Sequence, residues 1–138
     1  MEHHLHLHPL IVHFPIALFI TAFGLEILSL ILKKESLHQA SWYNYILAIF
    51  ATISAILAAW WDKEIVKHPV FYTHRNLAYI TLGVALLSGV ILPLVRQKSK
   101  RAFRIIFFIF LILTTSLVSI TGYYGGKLVY EYGVGVQE

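Results

Sequence analysis

Long apolar runs separated by short polar gaps dominate the pattern of the chain. Four runs, at residues 9–32, 43–61, 69–95 and 103–124, hold few charged side chains. Each run is close to the roughly 20 residues that an α-helix needs to cross the hydrocarbon layer. Pro9 and Pro69 open the first and third runs, and proline is favoured at the first position of a helix. The pattern predicts an all-α integral membrane four-helix bundle, a single domain over residues 1–138 with both termini on the same side.

The composition also indicates that the chain lies in a lipid membrane. Hydrophobic residues make up 58% of the 138 residues and charged residues only 13%, which is more apolar surface than a soluble domain of this size buries. The chain has no cysteine, which excludes disulfides, thiolate ligands and covalent haem attachment. Its net charge of +4 comes from basic residues in the gaps, so we interpret it as a topology signal and not as a nucleic-acid-binding surface.

The basic residues also predict an orientation. Seven of the eleven Lys and Arg residues lie in or beside the first and third gaps: Lys33, Lys34, Arg96, Lys98, Lys100, Arg101 and Arg104. By the positive-inside rule these gaps face the cytoplasm. We therefore expect a bacterial inner membrane protein whose termini and middle gap lie on the outer, periplasmic side.

Histidines gather on the predicted outer side. Seven of the eight lie there: His3, His4, His6, His8, His13, His68 and His74. A weak repeat, in which a His-Pro pair is followed by a second histidine, opens the first and third helices. Because these helices run in the same direction, we expect His13 and His74 at nearly equal depth.

Two imidazoles at one depth on two helices are what bis-histidine ligation of a haem requires. The leading hypothesis is a small b-type cytochrome-like protein that binds one haem b near the outer face, with His13 and His74 as axial ligands and His8 as a substitute. It would be an electron carrier, not a stand-alone enzyme, and would exchange electrons with a quinone or a redox partner protein.

Two alternatives stay open at this point. His8, His13, His74 and Asp62 suit a haem-free site for copper, zinc or iron, because imidazole and carboxylate bind all three metals. The second alternative is that the chain is a structural subunit of a larger membrane complex or a homo-oligomer, without a cofactor of its own.

Three further features of the helices lead to structural expectations. Glu26, late in the first helix, needs a partner, for which we expect Arg104 or the loop lysines, whereas His38 is expected in the first loop. Gly125 and Gly126 are expected to end the fourth helix. Aromatic residues near both ends of the second helix suit the interfacial belts of a membrane protein: Trp42, Tyr43, Tyr45, Trp60 and Trp61.

Short motifs spread along the chain resemble one known family. These are HPLIVHFPIA at residues 8–17, WD at 61–62, His74, GGKLVY at 125–130 and GVGV at 133–136. Together they resemble the bacterial membrane proteins of domain of unknown function 2231, over nearly the whole chain. The resemblance implies a four-helix membrane domain, and the association of that family with redox proteins agrees with a b-type cytochrome. It implies His8, His13 and His74 as site residues, and we expect the segment with Tyr130 and residues 133–136 to fold over that site.

Overall fold

The computed structural model describes residues 11–62 and 68–134, without the side chains of Trp61 and Asp62. This part of the chain forms four α-helices: α1 (His13–Leu32), α2 (Glu35–Asp62), α3 (Pro69–Lys98) and α4 (Lys100–Tyr130). All four are long and apolar enough to cross a membrane. The predicted all-α transmembrane bundle is therefore confirmed, whereas the side on which the termini lie stays a prediction.

The helices form a ring in which neighbours are antiparallel. α1 packs against α2 and α4, α3 packs against the same two helices, and the α2–α3 contact is the smallest of the four. α1 and α3 therefore run parallel on opposite corners of the ring. We call the end with His13, His68 and His74 the histidine end. The opposite end is the basic end, which contains Lys33, Lys34, Arg96, Lys98, Lys100, Arg101 and Arg104.

The turns at the basic end are shorter than the sequence suggested. α2 begins at Glu35 and not at Tyr43, and Ser99 alone joins α3 to α4. The Ser99 N–H donates to the carbonyl of Val95 at 2.9 Å, while its Oγ accepts from the N–H of Ala102 at 3.2 Å. An apolar run predicts the part of a helix that lies in the hydrocarbon layer. The helices themselves continue beyond these runs, in turns that contain polar residues.

The end of α4 also differs from the expectation. The helix continues through Gly125 and Gly126 to Tyr130, then closes at Gly133, which has a positive φ of 64°. Val134 N–H donates to the carbonyl of Leu128 and Gly133 N–H to that of Val129, at 2.9 and 3.2 Å. The bond from Gly133 to Val129 is that of the αL capping motif, in which glycine takes the left-handed conformation. Gly133 therefore ends the helix, and the assignment of this role to the Gly125–Gly126 pair was wrong.

Aromatic rings fill the core toward the basic end. Trp42 is only 8% exposed and lies edge-on to Phe103 and Phe107, at centroid distances of 5.2 and 5.4 Å. Tyr45 is fully buried, and its hydroxyl donates to Ser88 Oγ on α3 at 2.8 Å. The expectation that Trp42 and Tyr45 belong to an interfacial belt was therefore wrong, because the bundle interior takes both rings.

Candidate functional site

His74 is the best-defined residue of the histidine end. Its imidazole is half-buried between α3 and α4, and its Nδ1 lies 2.9 Å from the carbonyl oxygen of Thr121. A carbonyl only accepts hydrogen bonds, so Nδ1–H is the donor. In the neutral imidazole this bond leaves the lone pair on Nε2, the nitrogen through which a histidine bonded in this way binds a metal.

The backbone of α4 approaches the His74 ring closely at Gly125. A Cβ atom built on Gly125 would lie 3.0 Å from Cε1 and 3.3 Å from Nδ1 of His74. A side chain there would require the imidazole to shift by a few tenths of an ångström. The absence of a side chain at Gly125 thus leaves room for the His74 ring, which gives a reason for a glycine inside α4.

His13 lies at the same end of the bundle as His74 but in a different environment. It is the first residue of α1 and its side chain is exposed. One turn further, Ile16 packs against Gly122 of α4, next to Thr121, which accepts the bond from His74. Both histidines therefore lie at the histidine end, on helices at opposite corners of the ring, and their equal depth stays a prediction.

The other predicted ligands cannot be placed with them. His8 and the side chain of Asp62 lie outside the described residues. Within residues 11–62 and 68–134, no three His, Asp or Glu side chains come close enough together to hold a metal ion. The four-residue metal site therefore stays a prediction.

His68 and Tyr132 form a second contact at the histidine end. His68 Nδ1 accepts a hydrogen bond from the N–H of Val70 at 3.2 Å and so caps the start of α3. The Tyr132 ring lies against the His68 ring, with centroids 4.1 Å apart. Tyr130, which was expected over the site of His8, His13 and His74, is 90% exposed. Residues 135 and 136 of the same segment lie outside the described residues, so the expectation that the segment folds over that site stays a prediction.

A cluster of charged residues that the sequence only partly predicted lies at the basic end. The Glu26 carboxylate is fully buried, and His38 Nδ1 donates to its two oxygens, at 2.8 and 3.0 Å. Arg104 Nε is 3.6 Å from Glu26 Oε1, which makes an ion pair but not a hydrogen bond. Arg104 was an expected partner of Glu26, whereas the expectation that His38 lies in a loop was wrong.

The cluster ties three helices together. Arg104 on α4 also donates to Ser29 Oγ on α1 at 2.7 Å and pairs with Glu35 on α2 at 3.4 Å. The His38 ring lies edge-on between Phe103 and Phe107, with both centroid distances 5.8 Å. Water is excluded from the Glu26 carboxylate, so these partners replace the hydration that it loses. We interpret the arrangement as structural.

The helical spacing of residues in α2 predicts the position of His38. His38, Ser41 and Tyr45 recur at intervals of three and four residues, which places them on one face of a helix. That face meets α1, because Ser41 Oγ donates to the carbonyl of Ala22 at 2.7 Å and the Tyr45 ring lies 5.4 Å from that of Phe19. Extending this period backwards from the apolar run would have placed His38 opposite Glu26.

Comparison with known proteins identifies one family. The family model described as a predicted membrane protein, DUF2231, matches residues 4–138. No curated protein and no solved structure matches the chain. The match covers both ends of the bundle, and its description gives no activity.

Proposed function

Since the chain belongs to the DUF2231 family of predicted membrane proteins, whose description names no activity, we propose a function from its own residues. We propose that it is a small haem b electron-transfer protein, with the haem ligated at the histidine end of the bundle. Haem supplies a one-electron carrier that alternates between ferric and ferrous iron. A quinone or a redox partner protein that reaches this end would exchange the electron.

The observation that supports the proposal is the hydrogen bond from His74 to Thr121. Histidines that ligate metals donate their other ring N–H to a carboxylate or a backbone carbonyl, which fixes the orientation of the ring. The 2.9 Å bond to the Thr121 carbonyl has this form, and the Gly125 backbone braces the same ring. His74 therefore fits the role of an axial ligand.

The second ligand in the proposal is His13, with His8 as its substitute. His13 opens a helix parallel to that of His74, at the same end of the bundle, but its side chain is exposed. Ligation therefore requires its imidazole to turn toward α3. His8, five residues earlier in the sequence, would serve in its place if the start of α1 is rotated.

An absorption spectrum tests this function. Protein purified in detergent from cells supplied with haem precursor is expected to show a Soret band and, after reduction, the sharp α band of a six-coordinate b-type haem. His74→Gln retains a donor for the Thr121 carbonyl but removes the imidazole, so we expect it to lose the bound haem. Asn76→Ala, an exposed change on the same helix, is the matched control and should leave the spectrum unchanged.

Absence of a Soret band from folded wild-type protein would overturn the haem proposal. Elemental analysis of the same sample would then distinguish the two other functions considered. Stoichiometric copper, zinc or iron supports the metal site, and a metal-free sample supports a structural subunit.

The orientation in a bacterial inner membrane is a further part of the proposal. The basic end has seven Lys and Arg residues, so the positive-inside rule places it in the cytoplasm and the histidine end in the periplasm. The chain lacks cysteine, which allows single-cysteine reporters without other changes. In intact spheroplasts, a membrane-impermeant maleimide should label Glu131→Cys and should label Lys34→Cys only after the membrane is permeabilised. The reverse pattern would contradict the proposed orientation.

A further inference from the structure

A groove lies on the outer surface of the bundle, between α1 and α4, at the basic end. Its volume is about 340 Å³ and its walls are almost entirely apolar. Six residues line it: Leu30, Arg101, Arg104, Ile105, Phe108 and Ile109. The groove is distinct from the histidine end and from the buried Glu26 carboxylate.

The groove is apolar along its walls, and two arginine side chains lie at one end of it. Leu30, Ile105 and Ile109 are 48%, 55% and 57% exposed, so they face the lipid that surrounds a membrane bundle. Arg101 and Arg104 lie in the first turns of α4 and line one end of the groove with the apolar stems of their side chains, so that the exposed guanidinium of Arg101 lies beside this end. This is the arrangement that an amphiphile with an anionic head and an apolar tail requires.

The charge balance of the basic end favours an anionic head. Seven basic residues lie there, whereas the described acidic residues at this end are Glu26 and Glu35, both paired with Arg104. These pairs compensate the charge of Arg104 within the protein. Arg101 is exposed and forms no ion pair with any described residue, which leaves its positive charge uncompensated by the protein.

We propose that this groove binds an anionic phospholipid from the leaflet at the basic end. Its phosphate lies against the exposed Arg101, and one acyl chain follows Leu30, Ile105 and Ile109 along the groove. Basic pockets between transmembrane helices recognise anionic headgroups in this way, because the charge is held where lipid tails also find an apolar surface. The proposal does not depend on the haem.

Lipid binding to the purified full chain tests the proposal. In a neutral detergent, native mass spectrometry should show phosphatidylglycerol retained at one copy per chain and phosphatidylcholine retained much less. Removing one cation near the headgroup, in Arg101→Gln, should weaken retention about fivefold. Lys127→Gln, which removes a cation at the histidine end, is the matched control and should not change it.

A second variant distinguishes lipid binding in the groove from attraction of the lipid to the general positive charge of this end. Ile109→Trp fills the apolar part and leaves every charge in place, so it should reduce phosphatidylglycerol retention while the melting temperature without lipid stays near that of wild type. Equal retention of the two lipids, equal losses in Arg101→Gln and Lys127→Gln, or unchanged retention in Ile109→Trp would each overturn the proposal. So would displacement of the lipid by inorganic phosphate at constant ionic strength, because a phosphate site needs no acyl groove.

Discussion

Glu26→Ala is expected to lower the free energy of unfolding by about 3 to 5 kcal/mol, because it removes one partner of a buried ionic cluster. The carboxylate is fully buried and contacts both His38 and Arg104. Without it, the His38 imidazole loses its acceptor and Arg104 Nε loses the negative charge beside it. Unfolding in mixed micelles with increasing SDS, followed by circular dichroism, measures this loss.

Glu35→Gln is the matched control for this experiment. Glu35 also pairs with Arg104, at 3.4 Å, but its side chain is 64% exposed. Exposed ion pairs contribute about 0 to 1 kcal/mol, because water screens the charges and the side chains lose entropy. A loss in Glu26→Ala no larger than that in Glu35→Gln would contradict the structural role assigned to the buried cluster.

Trp42→Ala is expected to cost about 3 kcal/mol, the lower end of the usual range for removing a buried tryptophan. Lipid tails are as apolar as the bundle interior, so the loss comes from packing against Phe103 and Phe107 more than from exposure to water. The same SDS titration measures it, with the remaining tryptophan fluorescence as a second signal.

The neighbouring residue gives a direct comparison for this substitution. Tyr43 is 63% exposed, so Tyr43→Ala should change the free energy of unfolding by no more than about 0.5 kcal/mol. If the two residues instead formed a common interfacial belt, as the sequence suggested, both substitutions would have similar small effects. That result would contradict the buried position of Trp42.

Apolar run length predicted the existence and number of the helices but not which side chains face inward. In a membrane, both the interior and the lipid surface are apolar, so hydropathy alone does not distinguish them. Trp42 and Tyr43 are adjacent aromatic residues near one end of α2, yet one is buried and the other exposed. The bonds of Tyr45 to Ser88 and of Ser41 to Ala22 show that the position of small polar residues marks the inner face better.

The sequence predicted the positions of the site histidines along the helices better than the contacts of their rings. The repeated His-Pro pattern placed His13 and His74 at one end, since proline starts a helix locally and needs no tertiary information. The orientation of each ring depends on the packing partner, and the Thr121 carbonyl and Gly125 belong to a helix 47 or more residues away. His38 was missed because it lies in the polar gap before the second apolar run, although its helical spacing from Ser41 and Tyr45 indicated the α2 interior.

The single residue between α3 and α4 has a consequence for biogenesis. Ser99 is at once the last hydrogen-bond donor to α3 and the first acceptor for α4, so the two helices share a cap and reverse direction without a loop. A pair joined by one residue has no slack with which its two segments can separate, so we expect it to enter the bilayer as one hairpin. The seam between α2 and α3, where contact is smallest, is the place where lateral parting of the bundle would disrupt the fewest contacts.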